Sequence, residues 1–158
     1  MTTSLNIAQS PALVNVQPDK VDGYLIVARD LFPAVVHLSG VKGISARSCA
    51  MLAAHVTECW LKALIFSKDS EKKFAVGEQH DLIRLWSLAE ETALIALPKE
   101  PPDWLINLAV GHGPNFYFRY QQGVAKTVVN GGQTPEPQSM VAALDVLGKQ
   151  VTQVIGRG

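Results

Sequence analysis

The sequence has no excess of charge of either sign and few charged residues overall. Its 158 residues include 14 basic and 14 acidic side chains, and charged residues make up 18% of the chain, against about 25% in an average soluble domain. A neutral chain lacks the general positive charge that attracts nucleic acid or anionic membranes, so any such contact has to be local. Hydrophobic residues make up 47%, which excludes disorder of the whole chain, and the length is that of one ordinary domain.

Cysteine is also scarce, and no segment of the chain has the pattern of a signal peptide or a membrane span. Cys49 and Cys59 are ten residues apart in an apolar stretch. In a helix they lie about 15 Å apart, which predicts buried free thiols in a reducing compartment. Residues 1–17 contain no apolar signal core, and the apolar run 44–66 is interrupted by charged residues. We therefore expect a cytoplasmic protein without membrane contact.

The sequence contains none of the common catalytic or cofactor-binding motifs. It has no glycine-rich phosphate loop and no nucleophile elbow around a serine. His55 and Cys59 have the i,i+4 spacing of a metal-binding pair, but no second pair with ligand spacing accompanies them. Because a stable site needs three or four ligands, we expect a core or interface histidine, no metal and no cofactor.

The spacing of apolar residues predicts an all-α, up-and-down bundle of about five helices. Residues 1–17 are expected to be a loose N-terminal arm, and residues 18–156 a single domain. The predicted helices cover residues 18–38, 43–67, 80–92, about 101–111 and a final stretch after 134–136. β-Forming residues at 115–120 and 124–129, separated by Gln121-Gln122-Gly123, predict a small β-hairpin before the last helix.

Residues 112–120 (HGPNFYFRY) are the strongest candidates for ligand binding. An arginine such as Arg119 binds phosphate bidentately, and a tyrosine such as Tyr120 stacks on a base. The alternative is that Phe116 and Phe118 anchor the hairpin on the bundle while Arg119 pairs with an acidic neighbour. Both interpretations remain open at this stage.

Two stretches together resemble a known family, the HEPN (higher eukaryotes and prokaryotes nucleotide-binding) domains. Residues 58–64 (ECWLKAL), with Glu58 and Lys62, resemble the E-x-x-L-K-A-L signature of its long second helix. His80-Asp81-Leu82, followed by Leu85, resembles the H-D-L-x-x-L opening of the next helix. The resemblance extends over about residues 19–155. It implies a helical bundle that forms homodimers and is associated with nucleotides or RNA.

Many HEPN proteins are ribonucleases of toxin–antitoxin or defence systems, with an arginine followed after four to six residues by a histidine. Here Arg29–His37 and Arg47–His55 each have seven intervening residues. Each pair is therefore separated by about 12 Å along a helix axis, too far to share one phosphate. The first hypothesis is thus a non-catalytic HEPN-like module that binds a nucleotide or RNA, or acts as an interaction domain. The residues expected to contact the ligand are His112, Asn115, Arg119 and Tyr120, and those expected to form the structural motif are Glu58, Lys62, His80 and Asp81.

Two alternatives belong to other functional classes. The first is a divergent HEPN ribonuclease, in which His112 and Arg119 are the catalytic candidates and supply acid–base and phosphate-stabilising roles. The second is a structural partner protein without a nucleic-acid ligand. The expected partners are a second copy of the chain, a nucleotide or RNA, and a protein such as a nucleotidyltransferase of a toxin–antitoxin pair.

Overall fold

A central helix organises the fold, and four other helices pack on it. The computed structural model describes residues 19–42, 46–113 and 137–156. Its helices are α1 (Lys20–Gly40), α2 (Ala46–Lys68), α3 (Leu82–Glu91), α4 (Asp103–His112) and α5 (Pro137–Ile155), with a short 3₁₀ helix at Glu78–His80. This confirms the all-helical architecture with five helices, and the described ranges contain no strand. The predicted hairpin at 115–129 and the predicted arm at 1–17 lie outside the described residues.

Helix α2 is the central helix because its second half is buried around the whole circumference. Every residue from Val56 to Phe66 is buried, as expected for a helix with neighbours on all sides. It contacts α1, α3, α4 and α5. Among the described residues it is the one helix long and apolar enough to cross a membrane, yet 83% of its most apolar window is buried inside the protein. That burial is consistent with the core helix of a soluble protein.

Aspartates begin two of the helices as N-caps. The Asp19 carboxylate accepts a hydrogen bond from the Asp22 amide at 2.8 Å, and Asp81 accepts from the Ile83 and Arg84 amides, both at 3.0 Å. The helix predicted over residues 80–92 therefore begins two residues later than expected, at Leu82, with Asp81 as the residue before it. Asp81 has an extended backbone (φ −85°, ψ 101°), because its side chain can satisfy two free amides only from the position before the helix.

The two cysteines are free and buried, as predicted. Burial raises the pKa of the Cys49 thiol. Burial, together with the negative charge of Glu58, raises the pKa of Cys59 to about 12. Since the thiolate is the reactive form, both side chains behave as small apolar groups of the core.

The contact between α2 and α5 depends on a glycine. A Cβ placed on Gly148 would lie 2.7 Å from Trp60 Cη2 and 2.9 Å from Cε2, and closer still to Cζ2. Real Cβ atoms do not approach ring carbons so closely. All three of these atoms belong to the rigid Trp60 indole, which is 3% exposed, so the ring has to shift as a whole to relieve the contact. Gly148 is thus the position that allows α5 to lie directly on the indole.

We predict that Gly148→Ala destabilises the protein by about 1–3 kcal/mol, the usual cost of overpacking a core. The effect of the clash exceeds the gain of about 1 kcal/mol that alanine brings to an open helix position. The measurement is the free energy of unfolding in a urea titration that is monitored by circular dichroism.

Gly40→Ala is the matched control for this prediction. Gly40 is also helical, and a Cβ there would meet no atom within 4 Å. We expect its free energy of unfolding to stay at or slightly above that of the wild type. Equal stability of the two variants would show that α5 does not pack on Trp60 in this way.

Candidate functional site

A buried ion pair lies on α2, in the middle of the core. Glu58 and Lys62 are one helical turn apart, and the Lys62 Nζ lies 2.6 Å from Glu58 Oε1. Their side chains are only 4% and 6% exposed. A solvated i,i+4 pair contributes a few tenths of a kcal/mol, whereas a buried carboxylate and ammonium each need partners to offset lost hydration. The rest of the site consists of those partners.

Two histidines from distant parts of the chain share the other carboxylate oxygen of Glu58. The His112 Nε2 lies 2.6 Å from Glu58 Oε2, and the His80 Nδ1 lies 3.1 Å from the same atom. His112 is buried, with 1% of its side chain exposed, whereas 34% of the His80 side chain is exposed. We call Glu58, Lys62, His80 and His112 the polar cluster. His80 is the member that contacts solvent.

The short 3₁₀ helix positions His80. Gly77, with φ +90°, turns the chain into it, a conformation that suits glycine. The carboxylate of Glu78 holds the turn from both sides: it accepts from the Ala75 amide at 2.9 Å and from Arg84 Nε at 3.2 Å. The N-cap of Asp81 then begins α3. The backbone on either side of His80 is thus held by specific polar contacts.

Helix α4 positions His112 as its last residue. Leu105 and Leu108 are fully buried on the same helix, which fixes α4 against the core. The link from α3 is held by Trp86, whose Nε1 donates to the Pro98 carbonyl at 2.8 Å. Its indole also meets Trp104 edge-on, with ring centroids 6.2 Å apart. Apolar packing of α4 therefore places His112 against Glu58, which lies 54 residues earlier in the sequence.

The Lys62 ammonium also has aromatic neighbours. It lies 5.4 Å from the centroid of the Tyr24 ring on α1 and 5.9 Å from that of Phe74. Aromatic faces attract a cation electrostatically, and the attraction grows when water is excluded. These contacts and the Glu58 carboxylate hold the ammonium in a fixed position within the core.

The electrostatics of the polar cluster keep Glu58 ionised. Burial by itself raises the pKa of the carboxyl group. Hydrogen bonds from His112 and Lys62, the positive charge of Lys62 and the hydrogen bond from His80 together outweigh burial and lower the pKa from 4.5 to about 2. A carboxylate that remains charged can accept hydrogen bonds from two imidazoles or bind a cation.

The structure brings together four residues that the sequence analysis assigned to separate groups. His112 was predicted as a ligand contact, whereas Glu58, Lys62 and His80 were predicted as a structural motif. In the structure His112 is buried on Glu58, and Asp81 lies next to the cluster as a helix cap. The other predicted ligand contacts, Asn115, Arg119 and Tyr120, lie outside the described residues.

The polar cluster contains one metal-compatible donor set. Among the described residues, Glu58, His80 and His112 each offer a ligand atom, and these atoms all lie within 4.8 Å of one another. The sequence could not reveal this donor set through ligand spacing, because His80 and His112 lie 22 and 54 positions after Glu58. The available signal was a Glu–Lys pair inside a continuous apolar helix, which indicates buried charge in need of partners.

Comparison with known proteins does not assign the chain to a family: no family model, curated protein or solved structure matches it.

The lowered pKa of Glu58 predicts a specific loss of stability in acid. A depressed carboxyl pKa contributes stability that is present above the unfolded value of 4.5 and is lost as the pH falls towards about 2. The contribution is on the order of 3 kcal/mol. The measurement is the free energy of unfolding against pH, in a buffer containing EDTA.

Glu58→Gln should remove this component of the pH dependence between pH 4.5 and 2. It should also lower stability at pH 7 by about 3–5 kcal/mol, because Lys62 is left buried without its counter-charge. Glu91→Gln, at an exposed glutamate of α3, is the control and should leave both quantities unchanged. An unaltered pH profile in Glu58→Gln would contradict the assignment of the shift to the polar cluster.

Proposed function

We propose that the protein is a non-catalytic HEPN-like module that binds a nucleotide or RNA next to the polar cluster. The observation that carries this proposal is the convergence on Glu58 of both motifs behind the resemblance, at residues 58–64 and 80–82. His112, the first residue of the segment with the candidate phosphate and base contacts, joins them there. The two motifs that carry the resemblance are separate in the sequence but contact each other through Glu58 and His80.

The exposed end of the cluster suits an anionic ligand. His80 is one-third exposed and carries an imidazole held by Glu58. Arg84, 43% exposed, follows four residues later in the first turn of α3, where its Nε also contacts Glu78. The chain continues from His112 and Gly113 into the segment with Asn115, Arg119 and Tyr120. Imidazole and guanidinium groups bind phosphate through charge-assisted hydrogen bonds, and these local donors act despite the zero net charge of the chain.

A binding role without catalysis agrees with the state of His112. Its ring is 1% exposed and directed at a carboxylate, so it does not meet a phosphodiester in this arrangement. The arginine-to-histidine spacing typical of HEPN ribonucleases is also absent from the sequence. Catalysis by His112 and Arg119 is therefore less well supported than ligand binding without catalysis.

One contact favours RNA cleavage as a second candidate function. The 3.1 Å contact between His80 Nδ1 and Glu58 has the form of a histidine oriented by a carboxylate, as in many general bases. In a divergent ribonuclease, His80 rather than His112 would take the acid–base role.

The proposal includes a homodimer, which the resemblance implies. On the described surface of α4, Ile106 and Val110 are 43% and 52% exposed and four residues apart, hence on one face of the helix. Sedimentation equilibrium should give about twice the 17.1 kDa mass of one chain, and Ile106→Glu should lower it. A wild-type mass of 17.1 kDa at micromolar protein would contradict the dimer.

The binding proposal predicts specific losses of RNA affinity. In EDTA, the wild type should raise the fluorescence anisotropy of a labelled single-stranded RNA, and His80→Ala and Arg119→Ala should each weaken binding by about tenfold. Such a loss corresponds to about 1.4 kcal/mol, typical of one lost hydrogen bond to a charged group.

His37→Ala and Arg29→Ala are the matched controls, because both residues are exposed on α1. They should leave the affinity unchanged, whereas an equal loss in Arg29→Ala would indicate unspecific attraction. The same samples should be resolved on a gel. Cleavage that His80→Ala abolishes would establish the ribonuclease instead, and neither binding nor cleavage would leave the structural partner protein.

A further inference from the structure

We propose that Glu58, His80 and His112 form a binding site for a single divalent transition-metal ion, of the class represented by Zn²⁺. The inference concerns the same cluster but does not rest on nucleic-acid binding. It is carried by the convergence of two imidazole nitrogens and one carboxylate oxygen, supplied by α4, the 3₁₀ helix and α2.

The geometry of these atoms is close to that of a metal site. In tetrahedral zinc sites with bonds of about 2.0–2.1 Å, neighbouring ligand atoms lie about 3.3 Å apart. The His80 Nδ1 to Glu58 Oε2 distance of 3.1 Å already approaches this value. The His112 Nε2 to Oε2 distance of 2.6 Å has to lengthen by about 0.7 Å. The three donor atoms lie within 4.8 Å of one another, so the widest pair has to close by up to about 1.5 Å for a metal to bridge it.

An ionised carboxylate only accepts hydrogen bonds, so each of the two ring nitrogens has to donate an N–H to it, and these hydrogens take the place of a cation. Both nitrogens lie at hydrogen-bond distance from one carboxylate oxygen, so the three electronegative atoms face one region. A neutral imidazole binds a metal through the nitrogen that carries no proton. A metal ion therefore replaces these hydrogens once each ring adopts its other tautomer.

Lys62 fits this arrangement as the group that orients the carboxylate. Its Nζ contacts Oε1, at 2.6 Å, and leaves Oε2 to the histidines. Carboxylates that ligate metals are themselves usually hydrogen-bonded in this way. The positive charge of the ammonium opposes every cation at this place, so a bound metal has to offset that repulsion through its bonds to the two imidazoles.

The donor set selects the class of metal. Two histidines and one carboxylate are the ligands of catalytic zinc sites and of non-haem iron sites, which keep further positions open. Mg²⁺ and Ca²⁺ prefer oxygen ligands and are excluded by this composition. Since His80 is the exposed member, the open position lies on its side of the cluster, where a water molecule can enter.

The test measures metal binding directly, without RNA. The 158-residue chain without a histidine tag is stripped with EDTA and dialysed. It is then titrated with ZnCl₂ by calorimetry and with CoCl₂ by visible absorption. We expect one metal ion to bind per chain. The visible absorption of bound Co²⁺ should be much stronger than that of the aqueous ion, as for four- or five-coordinate Co²⁺. MgCl₂ should give no binding.

His80→Ala is the decisive variant because its side chain is partly exposed and its loss leaves the Glu58–Lys62 pair intact. It should weaken Zn²⁺ binding by at least about 100-fold, the upper end of the cost of losing a supporting residue around a metal. His37→Ala, an exposed histidine of α1, is the matched control and should bind as the wild type does. Circular dichroism verifies that both variants are folded.

Two results would overturn the inference. One is the absence of Zn²⁺ and Co²⁺ binding by the wild type at 100-fold molar excess of metal. The other is a folded His80→Ala variant that binds with unchanged affinity, since the metal would then lie elsewhere. Neither result bears on RNA binding, which is measured in EDTA, so the two proposals fail independently.

Discussion

The buried carboxylate of Glu58 is the constraint on which the rest of the structure depends. A charge removed from water is costly unless it is paired and hydrogen-bonded. Glu58 meets this requirement with Lys62 one turn away and with two imidazoles from elsewhere in the chain. The 3₁₀ helix and the end of α4 must therefore come to the same point on α2, so the polar cluster links three elements as well as neutralising a charge.

The apolar part of the core makes this convergence possible. Helix α2 is buried on every side from Val56 to Phe66, and its alanines together with Gly148 of α5 allow neighbouring helices to approach closely. Water is thereby kept away from Glu58 and Lys62. Exclusion of water strengthens the ion pair and the cation–π contacts to Lys62, and it equally raises the cost of losing any partner. Packing and electrostatics are thus mutually dependent here.

The helices could be predicted from the sequence because their signals are local. Apolar residues recur every three or four positions, and prolines or glycines mark the ends of the segments. The environment of Glu58 and Lys62 could not be predicted in the same way, since an i,i+4 pair has the same pattern whether it is exposed or buried. The meeting of Glu58 with His112 depends on how α4 packs, across 54 residues. The position of Asp81 was missed for a smaller reason: an aspartate in the first turn and one at the N-cap differ by a single residue.

The composition of the polar cluster also bears on why it exists. Replacement of a buried ion pair by well-packed apolar residues is often neutral or stabilising, so stability alone does not account for two charges and two imidazoles in the core. One-third of the His80 side chain reaches the surface, so one end of the network is accessible from solvent. The buried members fix the orientation of Glu58, and Glu58 fixes His80. An oriented histidine at the surface, supported by a charged group beneath it, is the arrangement that ligand binding and metal coordination both require.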